Sequence, residues 1–216
     1  MTETTPSTER RCRGRPQLRP DDETRQIIYE AARQEFAANG YAATSTEAVA
    51  RRAGISTKTL YRLIPNKAAL FEAMVASRLD SLLLDIDLHA ADDVDFEAAL
   101  NAALLACANL SLDPDVVALQ RIVLQESSQF SDIAATFYRN GIARLIAELA
   151  DWLRGQIKRG KIKLDSPDET AGILIGMVAS APQRAAIYGG VPLPSPSEIE
   201  RRVKTCASLF LRGYRG

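Results

Sequence analysis

Residues 46–64 constrain the fold more strongly than any other segment, because their spacing fits two short helices that cross closely around a tight turn. Ala50 is small enough to lie at the crossing, and Gly54 tolerates the positive φ that the turn needs. Leu60, six residues after the glycine, can pin the second helix to the first. The exposed face of that helix carries hydrogen-bonding or basic groups, namely Ser56, Thr57, Lys58, Thr59, Tyr61 and Arg62. Such a face is typical of a helix that lies against bases and phosphates, although the spacing alone also fits an ordinary helical hairpin.

The flanking residues favour the nucleic-acid interpretation. A preceding helix presents an apolar face composed of Ile27, Ile28, Ala31, Ala32 and Phe36. Asn39 and Gly40 then form a C-cap signal that ends this helix. Thr44 with Glu47 three residues later predicts a capping box, which starts the next helix. After the second short helix, residues 65–67 stop one helix and cap another.

Taken as a whole, residues 28–71 resemble the N-terminal domain of the TetR family of bacterial transcriptional regulators. The residues that carry the resemblance are Ala31, Ala32, Phe36, Gly40, Tyr41, Thr44, Val49, Ala50, Ala53, Gly54, Ile55, Ser56, Thr59, Leu60, Tyr61, Pro65 and 67–70. Ile64 departs from the family, which usually has an aromatic residue there, but it keeps an apolar side chain. With the helical pattern of the body, the resemblance implies an all-α fold of about nine helices. It implies a three-helix helix-turn-helix domain at 23–68 and a helical ligand-binding and dimerisation domain at 69–216.

The resemblance and the position of the second helix predict the DNA contacts. Thr57 and Lys58 begin the recognition helix, where side chains usually reach base edges. Lys67, in the first turn of its helix, is expected to contact phosphate, as are Tyr61 and Thr44. The predicted DNA-binding set within the domain is Thr44, Ser45, Ser56, Thr57, Lys58, Thr59, Tyr61, Arg62 and Lys67. Because one recognition helix reads few base pairs, we expect a homodimer on double-stranded DNA with a palindromic operator.

A basic arm precedes this domain. Residues 1–22 lack apolar periodicity and are expected to be disordered in the absence of DNA. Residues 1–70 hold 12 Lys and Arg against 8 Asp and Glu, whereas 71–216 hold 15 against 19, which favours the N-terminal third as the DNA-binding part. Arg13 and Arg15, within the sequence RGRP, resemble the core of an AT-hook, an arm that lies in the A·T minor groove. A solvated basic tail that is attracted to the DNA backbone is the alternative.

The remainder of the chain shows helical periodicity and no convincing strand. Six further helices are predicted, at about residues 66–87, 96–110, 114–127, 131–159, 167–188 and 197–214. The tilt of the first of these, which connects the two domains, would set the spacing of the two recognition helices in a dimer.

The helix at 167–188 is apolar on nearly every face, which predicts burial on more than one side. Gly172, Gly176 and Ser180 repeat every four residues, so a partner backbone could approach closely; a central helix in a monomer core is the alternative. In the TetR family this helix and the last one form a four-helix bundle with their copies in a second subunit. The predicted dimer interface is therefore Gly172, Gly176, Ser180, Ile199, Val203, Cys206 and Phe210.

The resemblance also implies a ligand cavity between the helices of the body. The candidate lining residues are Leu83, Leu104, Cys107, Leu124, Phe137, Tyr138 and Met177. An apolar lining would suit a small hydrophobic or aromatic ligand. Each of these side chains also fits an ordinary core position.

The sequence offers little for other classes of protein. The single histidine, His89, lies in a predicted loop, and no Cys/His cluster has metal-ligand spacing, so neither an enzyme nor a metal or cofactor is expected. Asp92, Asp93 and Asp95 precede a predicted helix, where acids stabilise the helix dipole. Cys107 and Cys206 lie on apolar stripes and are expected to be buried free thiols in a reducing cytoplasm. No apolar run is long enough to cross a membrane, so no membrane partner is expected.

Two functions fit these features. The first is a dimeric, ligand-responsive repressor that binds a palindromic operator. The second is a nucleoid-associated or cell-division protein that uses the same fold to bind DNA and a protein partner without an inducer. An exposed apolar patch on the body, rather than an enclosed cavity, would favour the second.

Overall fold

The computed structural model describes residues 19–84 and 95–215, and these residues form nine helices and no strand. The helices are α1 (Asp21–Ala43), α2 (Thr46–Arg52), α3 (Thr57–Leu63), α4 (Lys67–Leu84), α5 (Phe96–Ser111), α6 (Pro114–Glu126), α7 (131–158), α8 (167–189) and α9 (Pro196–Arg215). The predicted all-α class is therefore confirmed, and the helices of the body begin within a residue or two of their predicted starts. The predicted extension of the connecting helix to residue 87 lies partly outside the described residues.

The ends of the helices follow from local capping. The regular part of α1 ends at Asn39, because Gly40 adopts φ 76° inside the assigned range. This left-handed conformation is the C-cap that the Asn-Gly pair predicts. At the start of α5 the carboxylate of Asp95 accepts a hydrogen bond from the backbone N–H of Glu97. That contact confirms the capping role expected of Asp95, whereas Asp92 and Asp93 lie outside the described residues.

Helices α7 and α8 each contain a π-helical turn, a feature that the sequence did not predict. In α7 the turn Tyr138–Ala143 separates Ser131–Phe137 from Arg144–Lys158. In α8 the turn Gly176–Ser180 separates Pro167–Ile175 from Ala181–Gly189. A π turn inserts one extra residue and redirects the side chains that follow, and such turns are frequent at functional sites.

One continuous apolar core joins the DNA-binding helices to the body. Helix α7 packs along α8 and α9 packs along α5, while α1 lies against both α4 and α6. Leu149, Leu153 and Leu174 are fully buried where α7 meets α8. Burying each such leucine stabilises the fold by about 1.5–3 kcal/mol, so this helix pair forms a firm scaffold on one side of the body.

Candidate DNA-binding surface and body cavity

The two short helices cross as the sequence predicts. Ala50 is buried in the contact and Leu60 is fully buried on α3. Gly54 adopts φ 66° in the connecting turn, and the backbone N–H of Ile55 donates to the carbonyl of Ala50 at 3.0 Å. The helix-turn-helix geometry is therefore present, with the N-terminal turn of α3 held at the surface.

The capping prediction at the start of α2 was wrong by one residue. Ser45, not Thr44, caps the helix, and its Oγ accepts the backbone N–H of Ala48 at 3.1 Å. The Thr44 hydroxyl is buried and lies within hydrogen-bond distance of the carbonyls of Gly40 and Glu35, at 2.7 and 3.1 Å. The end of α1 leaves carbonyls without helical partners, and the Thr44 hydroxyl can donate its one proton to either of these two. Its side chain is thus turned away from the surface where a phosphate contact was predicted.

Helix α3 presents a hydroxyl-rich N-terminal turn and one unpaired cation. Ser56 caps the helix, since its Oγ accepts the backbone N–H of Thr59 at 3.1 Å and lies 2.8 Å from the Thr59 hydroxyl. Thr57 is half-buried, whereas Lys58 is exposed and makes no ion pair with the described part of the chain. Lys58 can therefore approach a nucleic acid without first leaving another partner.

The last turn of α3 is held by neighbours. The Tyr61 hydroxyl is 2.7 Å from that of Thr46 and donates to Glu47 at 3.2 Å. The backbone N–H of Glu47, and after it the Tyr61 hydroxyl, hold the pKa of the Glu47 carboxyl below its usual value. Arg62 forms a bidentate pair with Asp21 at 2.7 and 2.8 Å. The pair is exposed, so phosphate could replace Asp21 without desolvating a buried charge.

Lys67 is fixed on the end of α1. Its Nζ donates to the carbonyl of Ala42 at 3.1 Å and lies 4.5 Å from the centre of the Tyr41 ring. Burial lowers the pKa of Lys67, while the nearby Glu126 carboxylate opposes that shift. The predicted phosphate contact therefore involves a half-buried lysine that already has a partner.

Two arginines that the sequence reasoning missed hold the domain together. Arg25 of α1 donates to the carbonyl of Leu63 at 2.9 Å, and Arg52 of α2 pairs with Glu35 at 2.6 Å. No spacing signal identifies these contacts, because the partners are distant in sequence. Arg13 and Arg15 of the predicted arm lie outside the described residues.

A cavity of about 280 Å³ lies between α5, α6, α7 and α8. Its wall includes residues of both π turns, Gly141 and Ile142 from α7 and Gly176 from α8. The described residues of the lining are Leu110, Ser111, Val116, Gln120, Phe137, Gly141, Ile142, Leu145, Ile146, Gly172, Ile175, Gly176, Ala179, Ser180 and Gln183. The body thus contains a mostly apolar, partly open space between the helices.

The structure brings only one of the predicted lining residues, Phe137, to this wall. Leu104 and Cys107 are fully buried in packed core, and Leu124 and Tyr138 are exposed. Met177 lies in a separate groove beside α9, and the Leu83 side chain lies outside the described part. Helical periodicity marks apolar faces, but it does not distinguish a face packed on a neighbour from one that borders a void, which explains these misplacements.

The dimer interface stays a prediction, and its predicted residues take two kinds of position within one subunit. Gly172, Gly176 and Ser180 line the cavity. In α9 the predicted stripe packs into the subunit's own core, with Ile199, Val203 and Cys206 buried and Phe210 half-buried. Ile173 on α8 and Leu209 on α9 are exposed, at 56% and 57%.

The two described cysteines are buried free thiols, as predicted. Burial raises the pKa of Cys107 to about 12 and also raises that of Cys206. Within residues 19–84 and 95–215, no group of His, Cys, Asp or Glu could hold a metal ion. In the same ranges no single helix is long and apolar enough to cross a membrane; α5 and α6 reach that length only together, across a 53° bend.

Helix α6 connects the cavity to the DNA-binding helices. Val116 and Gln120 line the cavity. Just before Val116, Asp115 accepts from Arg33 of α1 at 2.8 Å. At the other end, the Glu126 carboxylate accepts the backbone N–H of Ala42 at 3.2 Å. The helix that borders the cavity is therefore attached to the end and the middle of α1.

The junction contains a cluster of aromatic rings. Tyr41 stacks on Phe36 at 5.5 Å and meets Phe71 of α4 edge-on at 5.5 Å. Phe130, which follows α6, lies 5.0 Å from the Tyr41 ring. The cluster joins α1, α4 and the α6–α7 turn in one apolar contact, so displacement of that turn would disturb α1.

An exposed recognition helix on a helical body with an apolar cavity defines a DNA-binding regulatory protein. The chain belongs to the TetR family. Residues 28–74 match a model described as bacterial regulatory proteins of the tetR family, and residues 98–216 match the C-terminal domain of AefR-like transcriptional repressors. The protein is thus a ligand-responsive, DNA-binding transcriptional regulator of the repressor type, and the family indicates a regulator rather than an enzyme.

Individual relatives agree with this assignment. The HTH-type transcriptional regulator SrpR of Pseudomonas putida is 23% identical over 73% of this chain and 72% of its own length. YvkB of Bacillus subtilis is 24% identical over 88% and 96% of the two chains. Among solved structures, a TetR-family regulator from Mesorhizobium loti has a TM-score of 0.80 at 26% identity, covering 91% and 99%. The flavonoid-responsive regulator FrrA has a TM-score of 0.73 at 27% identity, covering 89% and 97%.

Proposed function

We propose that two copies of this chain bind a palindromic operator in the bacterial cytoplasm and that a small molecule in the body cavity releases them. The observation that carries the proposal is the double role of α6, which borders the cavity through Val116 and Gln120 and contacts α1 at both ends. A ligand can change DNA affinity only if it binds one arrangement of the domains better than the other. Because α6 contacts both the cavity and α1, a ligand bound in the cavity can change the position of α1 through this helix.

In this proposal the N-terminal turn of α3 reads the bases. Thr57 and Lys58 enter the major groove, because they occupy the first positions of the recognition helix and Lys58 makes no ion pair within residues 19–84 and 95–215. Ser45, Ser56 and Thr59 face the DNA backbone with Tyr61, while Arg62 exchanges Asp21 for a phosphate. The N-terminal arm adds a salt-dependent attraction through Arg13 and Arg15. Thr44 is not part of the proposed surface, since its hydroxyl is buried.

Lys67 has a different place in the proposal. Its ammonium group is held against Ala42 and Tyr41, so it positions the end of α1 rather than reaching freely for a phosphate. It can still contribute positive potential near the DNA. Removing it should weaken binding to all sequences alike and lower the magnitude of the salt slope by about 1 at most.

The dimer forms, we propose, through the outer faces of α8 and α9. Ile173 and Leu209 lie exposed on these two helices, and an open groove between the helices is bordered by Met177, Thr205 and Leu209. A partner that covered this groove would bury Leu209, and one that extended further along α8 would also bury Ile173. The small residues of α8 would remain beside the cavity.

The compounds to which one relative responds support an aromatic ligand for this chain. FrrA, which shares the fold over 89% of this chain, is named a flavonoid-responsive regulator. The cavity here has apolar walls that include the Phe137 ring. A cavity between the helices also favours the repressor over the inducer-free nucleoid protein, whose partner site would be an exposed patch.

A genome-wide binding map in the native bacterium tests the proposal. We expect a few palindromic sites, including one beside a neighbouring gene. The Leu209→Glu variant, which places a charge on the proposed dimer face, should lose these sites. Many scattered sites that persist in the variant would instead support the nucleoid role.

A further inference from the structure

Among the residues that the structure describes, the lining of the body cavity carries no ionisable side chain. Eleven of the fifteen described lining residues are apolar or glycine, and the four polar ones are Ser111, Gln120, Ser180 and Gln183. Moving a charged group from water into such a space costs several kcal/mol unless an opposite charge or several hydrogen bonds receive it. The composition of the wall therefore selects against charged ligands.

Of the charged residues next in sequence to the lining, Arg184 beside Gln183 is exposed, and three others have partners elsewhere. Arg144 pairs with Asp80 of α4. Arg121 donates to the carbonyl of Ala186 at 3.1 Å. Asp115, beside Val116, pairs with Arg33 outside the cavity. None of these groups is among the lining residues, so none supplies the counter-charge that a carboxylate or an ammonium would need.

The polar groups of the wall are nevertheless able to bind a neutral polar group. Gln183 donates through Nε2 to the carbonyl of Ser111 at 2.7 Å, and its own carbonyl oxygen remains an acceptor. Gln120 and Ser180 make no side-chain hydrogen bond with the described part of the chain, so each offers a donor and an acceptor. An amide, hydroxyl or ketone on the ligand could satisfy them.

The shape of the cavity limits the ligand further. A Cβ atom added at Gly172 would lie 4.0 Å from Ile146 Cδ1, and one at Gly176 would lie 3.7 Å from Ser180 Oγ. Both distances are ordinary van der Waals contacts, so neither position of this wall has a steric need for glycine. A volume of about 280 Å³ lies at the small end of ligand sites. A cavity of this volume is too small for a long acyl chain that carries a nucleotide.

We infer that the cavity takes an uncharged, ring-containing compound of small size, held by apolar walls and by neutral hydrogen bonds to Gln120, Ser180 and Gln183. The inference rests on the proposed function, because it assigns the chemistry of the ligand that releases the operator.

A matched pair of probes tests the role of charge. 2-Naphthamide and 2-naphthoate have nearly the same shape, but only the second carries a charge at neutral pH. Titration calorimetry of the full-length wild-type protein should show binding of the amide and at least about tenfold weaker binding of the carboxylate. Equal or tighter binding of the carboxylate, or no binding of the amide, would overturn the inference.

Two variants distinguish an error in the assigned ligand chemistry from an error in the proposed ligand site and function. Gly176→Leu, which projects a side chain into the cavity, should lose the amide, whereas Gly176→Ala should retain it. If the carboxylate is the better probe and Gly176→Leu loses it, the cavity remains the ligand site and only the assigned chemistry is wrong. If both probes bind Gly176→Leu as tightly as wild type, the cavity is not the site and the proposed function fails as well.

A second substitution does not depend on filling the cavity. Gln120 is only partly buried, so a longer, charged side chain can be accommodated there. Gln120→Lys adds a cation to the wall and should reverse the preference in favour of 2-naphthoate. An unchanged preference in this variant would contradict the assignment of Gln120 to the ligand site.

Discussion

Small residues serve opposite purposes in the helix-turn-helix and in the body. Ala50 is 1% exposed where α2 crosses α3, so its small size brings two helices together. Gly172 and Gly176 of α8 lie beside open space, so their small size keeps two helices from filling the volume between them. Whether a small residue allows close helix packing or leaves a cavity therefore depends on the side chains that face it.

The two regions also differ in how their polar groups are used. In the DNA-binding domain most are engaged in capping or ion pairs, as for Ser56 and Arg52, which fixes the angle of α3. In the cavity, Gln120 and Ser180 have no partner in the described part of the chain. The first region is preorganised to present a surface, whereas the second retains unused hydrogen-bonding groups for a ligand.

Overpacking the helix crossing should have the largest effect. Ala50→Leu inserts a large side chain between α2 and α3, and such changes typically cost about 1–3 kcal/mol. We expect a lower free energy of unfolding in chemical denaturation and loss of operator binding. Ala37→Leu, at an exposed position of α1, is the control and should change neither. Normal DNA binding by Ala50→Leu would show that the crossing tolerates a wider spacing.

Removing the unpaired cation of α3 should have an intermediate effect. Lys58→Ala should cost roughly 1–3 kcal/mol of operator binding and relax specificity at particular base pairs. Lys158→Ala removes the same charge from an exposed position of the body and should leave specificity unchanged. Binding to a panel of operator variants measures both. A uniform loss on every variant would assign Lys58 to the phosphate backbone.

Breaking the contact between α6 and the end of α1 should have the smallest effect on stability. Glu126→Ala removes the acceptor for the Ala42 N–H, which is worth about 0.5–1.5 kcal/mol at a partly exposed site. Hydrogen exchange at residues 40–43 should become faster, while the control Gln125→Ala on the exposed side of α6 should leave it unchanged. Equal exchange rates in both variants would remove Glu126 from the proposed coupling.

The sequence predicted those features that depend on local spacing. The positions of Ala50, Gly54 and Leu60 fix a turn of known geometry, and the Asn39-Gly40 pair ends α1 as expected. The capping error at Thr44 arose because two adjacent hydroxyl residues precede α2. Only the tertiary contact of Thr44 with the end of α1 decides which of them is buried.

The helices of the body could be predicted from the sequence, but the residues that line its cavity could not. Tyr138 and Phe137 are adjacent aromatic residues on α7, and the helix turns one outward and the other to the cavity wall. The π turns cannot be seen in the periodicity, because one extra residue per turn shifts the pattern only locally. The glycine stripe of α8 predicts a close contact between subunits, and within one subunit the same residues border the cavity.

The central claim is that Gly176 faces a cavity within one subunit rather than the partner subunit. Analytical ultracentrifugation of Gly176→Leu with a labelled operator, selected from random DNA by the wild-type protein, tests it most directly. The variant should sediment as a dimer on the duplex, as wild type does, whereas Leu209→Glu should sediment as a monomer beside free DNA. A monomeric Gly176→Leu that leaves the operator free, alongside a dimeric Leu209→Glu, would place the glycines at the interface and contradict the account.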